Sequence, residues 1–120
     1  GKRENLDSVL AHPSVELISA DINNEKLVFE LLLENHIDCL INLAAETHVD
    51  NSISDPFAFI HTNINGTFSL LRATKAFLDK TKHDRFRFIH VSTDEVFGEL
   101  TAAASPFTLT LQAKFPLLCV

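Results

Sequence analysis

Two acidic side chains, Asp94 and Glu95, stand side by side in VSTDEVFGEL (91–100), directly behind the apolar run RFRFIHV (85–91). Carboxylates at the end of a buried strand are costly unless something there uses them. If both point into one partly desolvated pocket, their pKa values separate, leaving one proton donor and one acceptor near neutral pH. That division suits the elimination of water, in which a base takes a proton from carbon and an acid protonates the departing hydroxyl. A solvated acidic turn is the plain alternative, and the residue types leave both open. Two further clusters end apolar runs: Asp21 after VELISA (15–20), and Ala44-Ala45-Glu46-Thr47 at the end of CLINLAA (39–45).

Each of these residues also has an ordinary reading. Asp21 reads as a cap for the next turn or as a ligand contact. Ala44 and Ala45 either relieve crowding or let a flat ligand approach the backbone. His48 has no second His or Cys at ligand spacing, so no metal site is expected. His61 and His90 read as structural. Thr62, Asn63 and Asn65 interrupt a helical pattern with weak helix formers, and Asn63 is expected to stitch loops together.

The elements that must position these groups follow from periodicity. VELISA (15–20) is a short β-like run, and EKLVFELLLEN repeats apolar positions at helical spacing from about residue 24 to 35, with Asn23 or Asn24 as its cap. CLINLAA (39–45) is a continuous apolar run of the kind buried on both faces of a parallel sheet. Pro56 opens a long helical segment with Asp55 placed to cap it, and Gly66 inside it costs about 1 kcal/mol relative to Ala unless something packs closely there. RFRFIHV (85–91) supplies a third strand. Alternating strands and helices predict an α/β fold, part of a Rossmann-like doubly wound parallel sheet, whose ligands bind beyond the carboxyl ends of the strands. All three polar clusters fall on that edge.

The chain has 120 residues, 46% of them hydrophobic and 22% charged, an ordinary globular mixture. Its net charge of −6 disfavours nucleic acid as a partner. No apolar span of about 18 residues suggests a membrane partner. The two cysteines, Cys39 and Cys119, form no framework, so a cytoplasmic setting is expected. With three glycines, Gly1, Gly66 and Gly98, these residues contain no phosphate-cradling glycine loop.

SADI (19–22), INLAAETHVDNSISDPFAFIHTNINGT (41–67) and FIHVSTDEVFGEL (88–100) together resemble the nucleotide-sugar 4,6-dehydratases of the extended short-chain dehydrogenase/reductase family. The resemblance implies NAD as cofactor, with Asp21 and Ile22 at its adenine end. Leu43, Ala44, Ala45, Glu46 and Thr47 would line the dinucleotide, and Thr62 would approach it. Thr47, His48 and Thr93 would contact the sugar. Thr93, Asp94 and Glu95 would be catalytic, Asp94 as the acid for the C6 hydroxyl and Glu95 as the base at C5. The implied reaction is an internal redox cycle on a dTDP-linked glucose, with a dehydratase or epimerase acting on a GDP- or UDP-linked sugar, or a non-catalytic α/β binding module, as alternatives. The resemblance also implies a homodimer for the full-length enzyme.

Residues 1–100 are expected to be a partial NAD-binding domain. The family's glycine-rich turn and Tyr-x-x-x-Lys pair are not among the 120 residues, so the isolated chain is expected to be inactive. Residues 101–120 diverge. KFPLLCV (114–120) can be back-translated so that a frame one base later reads Asn-Ser-Pro-Tyr-Ser-Ala, the surroundings of the family's catalytic tyrosine. The tail is therefore expected to be a frameshifted reading that begins after Thr108.

Overall fold

The computed structural model describes residues 3–47 and 55–92. A 3-10 turn, Arg3–Leu6, leads into the short helix α1 (Asp7–Leu10). Helix α2 (Glu25–Glu34) begins where the Asn24 side chain accepts a hydrogen bond from the Leu27 amide at 3.2 Å, the capping expected from the sequence. It ends as His36 takes a left-handed conformation (φ 49°), turning the chain into β1 (Cys39–Asn42). Pro56 opens α3 (Pro56–Phe59), a π-helical segment covers Ile60–Gly66, and α4 (Thr67–Thr81) continues to a left-handed Lys82 (φ 55°). Strand β2 (Arg87–His90) pairs with β1 in parallel, Cys39 opposite Arg87 and Asn42 opposite His90.

Helices α2 and α4 cover one face of this sheet. Leu32, Leu70, Phe77, Phe86 and Phe88 form the buried core, with Val28, Phe29, Ile37 and Leu40 packed around it. The rings of Phe77 and Phe86 sit 5.3 Å apart in a tilted arrangement that favours their quadrupoles. Arg72 reaches from α4 to Glu25 of α2 at 3.2 Å, and His83, in the connection that precedes β2, bonds Asp38, just before β1, at 2.7 Å. These partly exposed pairs fix geometry more than they stabilise.

Three expectations about the elements are corrected. The run 39–45 is not buried on both faces among the described residues: Cys39 is exposed and Ile41 is 56% exposed, because both packed helices lie on the face of Leu40 and Asn42. Residues 15–20 form no strand and are exposed. An apolar cavity of about 700 Å³ is lined both by this segment, through Glu16 and Ile18, and by Ile41, Leu43 and Ala44 of β1 and the residues after it. No described strand lies beside residues 15–20 to take their backbone hydrogen bonds, and a lone extended segment is not a strand. Finally, the long helix is not one α-helix. It passes through a π-helical turn, and Asp55, exposed before Pro56, makes no side-chain capping bond.

Candidate functional site

In-register parallel pairing puts the ends of β1 and β2 on the same edge, with Leu43 leaving one strand and Val91 the other. The first turn beyond β1 is set by Asn42, whose side chain is buried. Its Oδ1 accepts the Ala44 amide at 3.1 Å, while its Nδ2 lies 3.4 Å from the Thr67 hydroxyl and 3.2 Å from His90 Nδ1. An amide nitrogen only donates, so His90 Nδ1 accepts and the imidazole carries its proton on Nε2. His90 is structural here, as the sequence suggests. Asn42 thereby ties both strands to the start of α4 and satisfies its own buried groups.

The π-helical turn does the remaining positioning. Asn63 Oδ1 accepts the Glu46 amide at 2.8 Å, and Asn63 Nδ2 donates to the Glu46 carbonyl at 3.0 Å. This reciprocal pair holds residues 44–46 as a neighbouring strand would, and it is the loop stitching expected of Asn63. Two residues earlier, the same turn grips the loop that follows residues 15–20. Asn23 Nδ2 donates to the His61 carbonyl at 3.3 Å and lies 3.2 Å from His61 Nε2, which is itself 3.4 Å from Asp21 Oδ2. Phe57 stacks on the His61 ring with centroids 5.8 Å apart. Gly66 is buried against Ile22, and a Cβ there would stand 2.4 Å from Ile22 Cδ1, so a side chain at that point would require the Ile22 side chain to shift. A π-helical insertion of this kind rotates successive side chains onto one face and is frequent at functional sites.

The expected cofactor contacts are placed as follows. Asp21 is exposed, and the Asn23 backbone N–H, then the Asn23 side chain, hold its carboxyl below the ordinary range, with smaller help from His61. Ile22, Ala44, Glu46 and Thr62 are half-buried; Leu43, Ala45 and Thr47 are exposed, Leu43 at 71%. The turn 61–63 joins the loops of Asp21 and Glu46 into one rim, and Thr62 lies between its two gripping residues. His48, Thr93, Asp94, Glu95 and the tail 101–120 lie outside the described residues. Residue-type reasoning missed Asn42 as an organiser and His61 and Asn23 as partners of Asp21. The signal was present in the run His-Thr-Asn (61–63), three weak helix formers in a helical pattern.

The model of the GDP-mannose 4,6 dehydratase family matches residues 1–114. The chain belongs to this family. Among its relatives, dTDP-glucose 4,6-dehydratase of Mycobacterium tuberculosis is 40% identical over 75 residues, which are 62% of this chain and 22% of that protein. A trifunctional UDP-glucose 4,6-dehydratase of Arabidopsis thaliana is 46% identical over 72 residues, 60% of this chain and 11% of that protein. Among solved structures, a dTDP-glucose 4,6-dehydratase from Streptomyces venezuelae with NAD bound superposes with a TM-score of 0.72 at 34% identity. It covers 88% of this chain and 30% of its own. A second, from Bacillus anthracis in complex with NAD, gives 0.67 at 31% identity over 90% of this chain and 30% of its own. The fold is therefore a partial Rossmann-like α/β sheet, and the chain spans about a fifth of the length of the Mycobacterium tuberculosis relative.

Proposed function

We propose that these residues are the central part of the NAD-binding domain of a cytoplasmic nucleotide-sugar 4,6-dehydratase acting on dTDP-glucose, with residues 1–100 carrying the domain and 101–120 a divergent tail. One observation carries the reading: the turn 61–63 binds the Asp21 loop and the Glu46 loop together on the carboxyl edge of a parallel sheet. The donor and acceptor set on that rim fits NAD. Asp21 offers an exposed carboxylate for an amino donor, and Leu43, Ala44 and Ala45 offer a small, apolar surface to a flat ring. NAD, when bound, takes and returns the hydride; the protein orients the sugar and manages its protons. Asp94 would protonate the leaving C6 hydroxyl, Glu95 would remove the C5 proton, and Thr93, Thr47 and His48 would hold the sugar. Among 120 residues without the glycine-rich turn or the Tyr-x-x-x-Lys pair, pyrophosphate binding and activation of the C4 hydroxyl are both missing, so turnover by the chain alone should be orders of magnitude below that of its relatives.

A second carrier, GDP or UDP, is favoured by the family description and by the Arabidopsis thaliana relative. The full-length enzyme is read as a homodimer. Phe57, Ile60, Ile64, Phe68 and Leu71 form an exposed apolar stripe along α3, the π-helical turn and α4, with Phe57, Ile64 and Phe68 each more than half exposed. Such a stripe fits a second helix of the same kind.

The experiment is an NAD titration of the chain with dTDP-glucose present, read by amide NMR and by assay of the 4-keto-6-deoxy product. Perturbation of Asp21, Ile22 and residues 43–47 with negligible turnover is the expected result. Perturbation confined elsewhere overturns the cofactor assignment, and fast turnover overturns the expected inactivity.

A further inference from the structure

On the face of the sheet that the helices cover, the paired residues change character along the strands. Leu40 lies opposite Phe88, and one step nearer the carboxyl edge Asn42 lies opposite His90. Asn42 is 3% exposed, and a buried amide is tolerated only when its polar groups are bonded. Oδ1 accepts the Ala44 N–H at 3.1 Å, which fixes the way the amide points. The two Nδ2 hydrogens then go separately to the Thr67 hydroxyl at 3.4 Å and to His90 Nδ1 at 3.2 Å, so no hydrogen serves two acceptors. The backbone carbonyl of the same residue accepts the Val91 N–H at 3.1 Å. These partners belong to three elements: the loop that leaves β1, the first residue of α4, and the end of β2.

We propose that Asn42 is a positioning residue that holds the loop assigned to NAD (43–47) at a set spacing from the end of β2, where His90 stands three residues ahead of Thr93. The inference rests on the proposed function for what the two segments carry, and it adds the joint that makes their positions interdependent. Asn63 holds the same loop from its other side, but its bonds run to the Glu46 backbone and reach no residue of β2. An amide is required at the joint. Asp at position 42 would still offer an oxygen to the Ala44 N–H, but an ionised carboxylate has no hydrogen to give, so His90 Nδ1 would have to carry the proton instead. The protonation pattern of the His90 ring therefore reports the joint: bare Nδ1 with Asn, protonated Nδ1 with Asp.

The test uses the 120-residue chain. Long-range proton–nitrogen NMR spectra identify the His90 tautomer, and amide hydrogen exchange is followed at Ala44, Glu46 and Val91. The wild-type ring should be bare on Nδ1, and Asn42→Asp should move the proton there. The wild-type spectrum needs no variant, and a protonated Nδ1 in it overturns the joint. In Asn42→Ala, exchange at Ala44 should accelerate about tenfold, the loss of one hydrogen bond. It should also accelerate, by less, at Val91, although the carbonyl that Val91 bonds is still present. Asn63→Ala should accelerate Glu46 and leave Val91 unchanged. Exchange at Val91 that ignores Asn42→Ala overturns the proposal and leaves Asn42 a local turn residue. Equal acceleration of Val91 in Asn63→Ala overturns it as well, because general loosening then explains both. Addition of NAD separates this from the cofactor reading: if NAD leaves Ala44 unperturbed while the tautomer and exchange results hold, the cofactor assignment fails and the joint stands.

Discussion

Replacing Gly66 by Ala tests the contact that lets the π-helical turn reach the Asp21 loop. Gly66 has ordinary helical angles (φ −60°, ψ −48°), so Ala meets no backbone strain, and helix propensity alone favours it by about 1 kcal/mol. Against that, the new methyl would lie 2.4 Å from Ile22 Cδ1 and 2.8 Å from Cγ1, with the next contact, the His61 carbonyl, at an ordinary 3.6 Å. Overpacking of this size costs about 1–3 kcal/mol, less where a side-chain end can swing away. The net expectation is a loss of about 1 kcal/mol in the wild-type background. Ile22→Ala removes both clashing atoms, so in that background Gly66→Ala should stabilise by about 1 kcal/mol. The sign of the substitution therefore inverts with the partner. Urea denaturation of the four proteins, read by circular dichroism, gives the coupling directly. Gly66→Ala that stabilises or destabilises equally in both backgrounds would refute the contact as the reason for glycine at this position.

Asn63→Ala removes both bonds to Glu46 and leaves backbone groups there unpaired, so a loss of about 1–3 kcal/mol is expected, together with faster amide exchange at Glu46. Unchanged exchange would contradict the staple. The Thr74 hydroxyl is buried and has no hydrogen-bond partner among the described residues; Thr74→Val should raise stability by about 1 kcal/mol, measured as a higher midpoint in urea. The Lys75 hydrogen bond, then desolvation opposing it, then the charges of Lys75 and Lys82 leave the Asp79 carboxyl below its ordinary value. A lowered folded value means stability that is present above the ordinary carboxylate range and lost as pH falls through the folded value, so Asp79→Asn should flatten the thermal midpoint against pH below about pH 4. Ile64→Glu with Phe68→Glu should abolish concentration-dependent self-association in analytical ultracentrifugation if the apolar stripe is a dimer face.

Much of the fold was legible because the patterns are local. Helix α2 announces itself by apolar periodicity and an Asn cap, and β1 and β2 by short apolar runs between polar stops. What the sequence hid is non-local. Whether VELISA becomes a strand depends on a neighbour to bond with, which no pattern within the segment reveals, and the open faces of Cys39 and Ile41 depend on which side the helices choose. The π-helical turn was legible only as an irregularity, a run of weak helix formers at 61–63. Its purpose needs two loops, at residues 21–23 and 44–46, to be seen converging on it. Asp21, Thr47 and the alanines were singled out because they follow apolar runs. Asn42, His61 and Asn23 were missed as organisers because the bonds by which they join separate elements span 25 to 48 residues, although Asn23 and Asn42 also bond locally to Asp21 and Ala44.

The central proposal is that Asp21, Ile22 and residues 43–47 form one rim that receives NAD, with Asp21 and Ile22 at its adenine end. Intermolecular nuclear Overhauser effects between NAD and the methyl groups of the chain test it most directly. Contacts from the adenine protons to Ile22 and from the dinucleotide to Ala44 are the expected result; contacts only to the stripe of Ile60, Ile64 and Leu71 would contradict it.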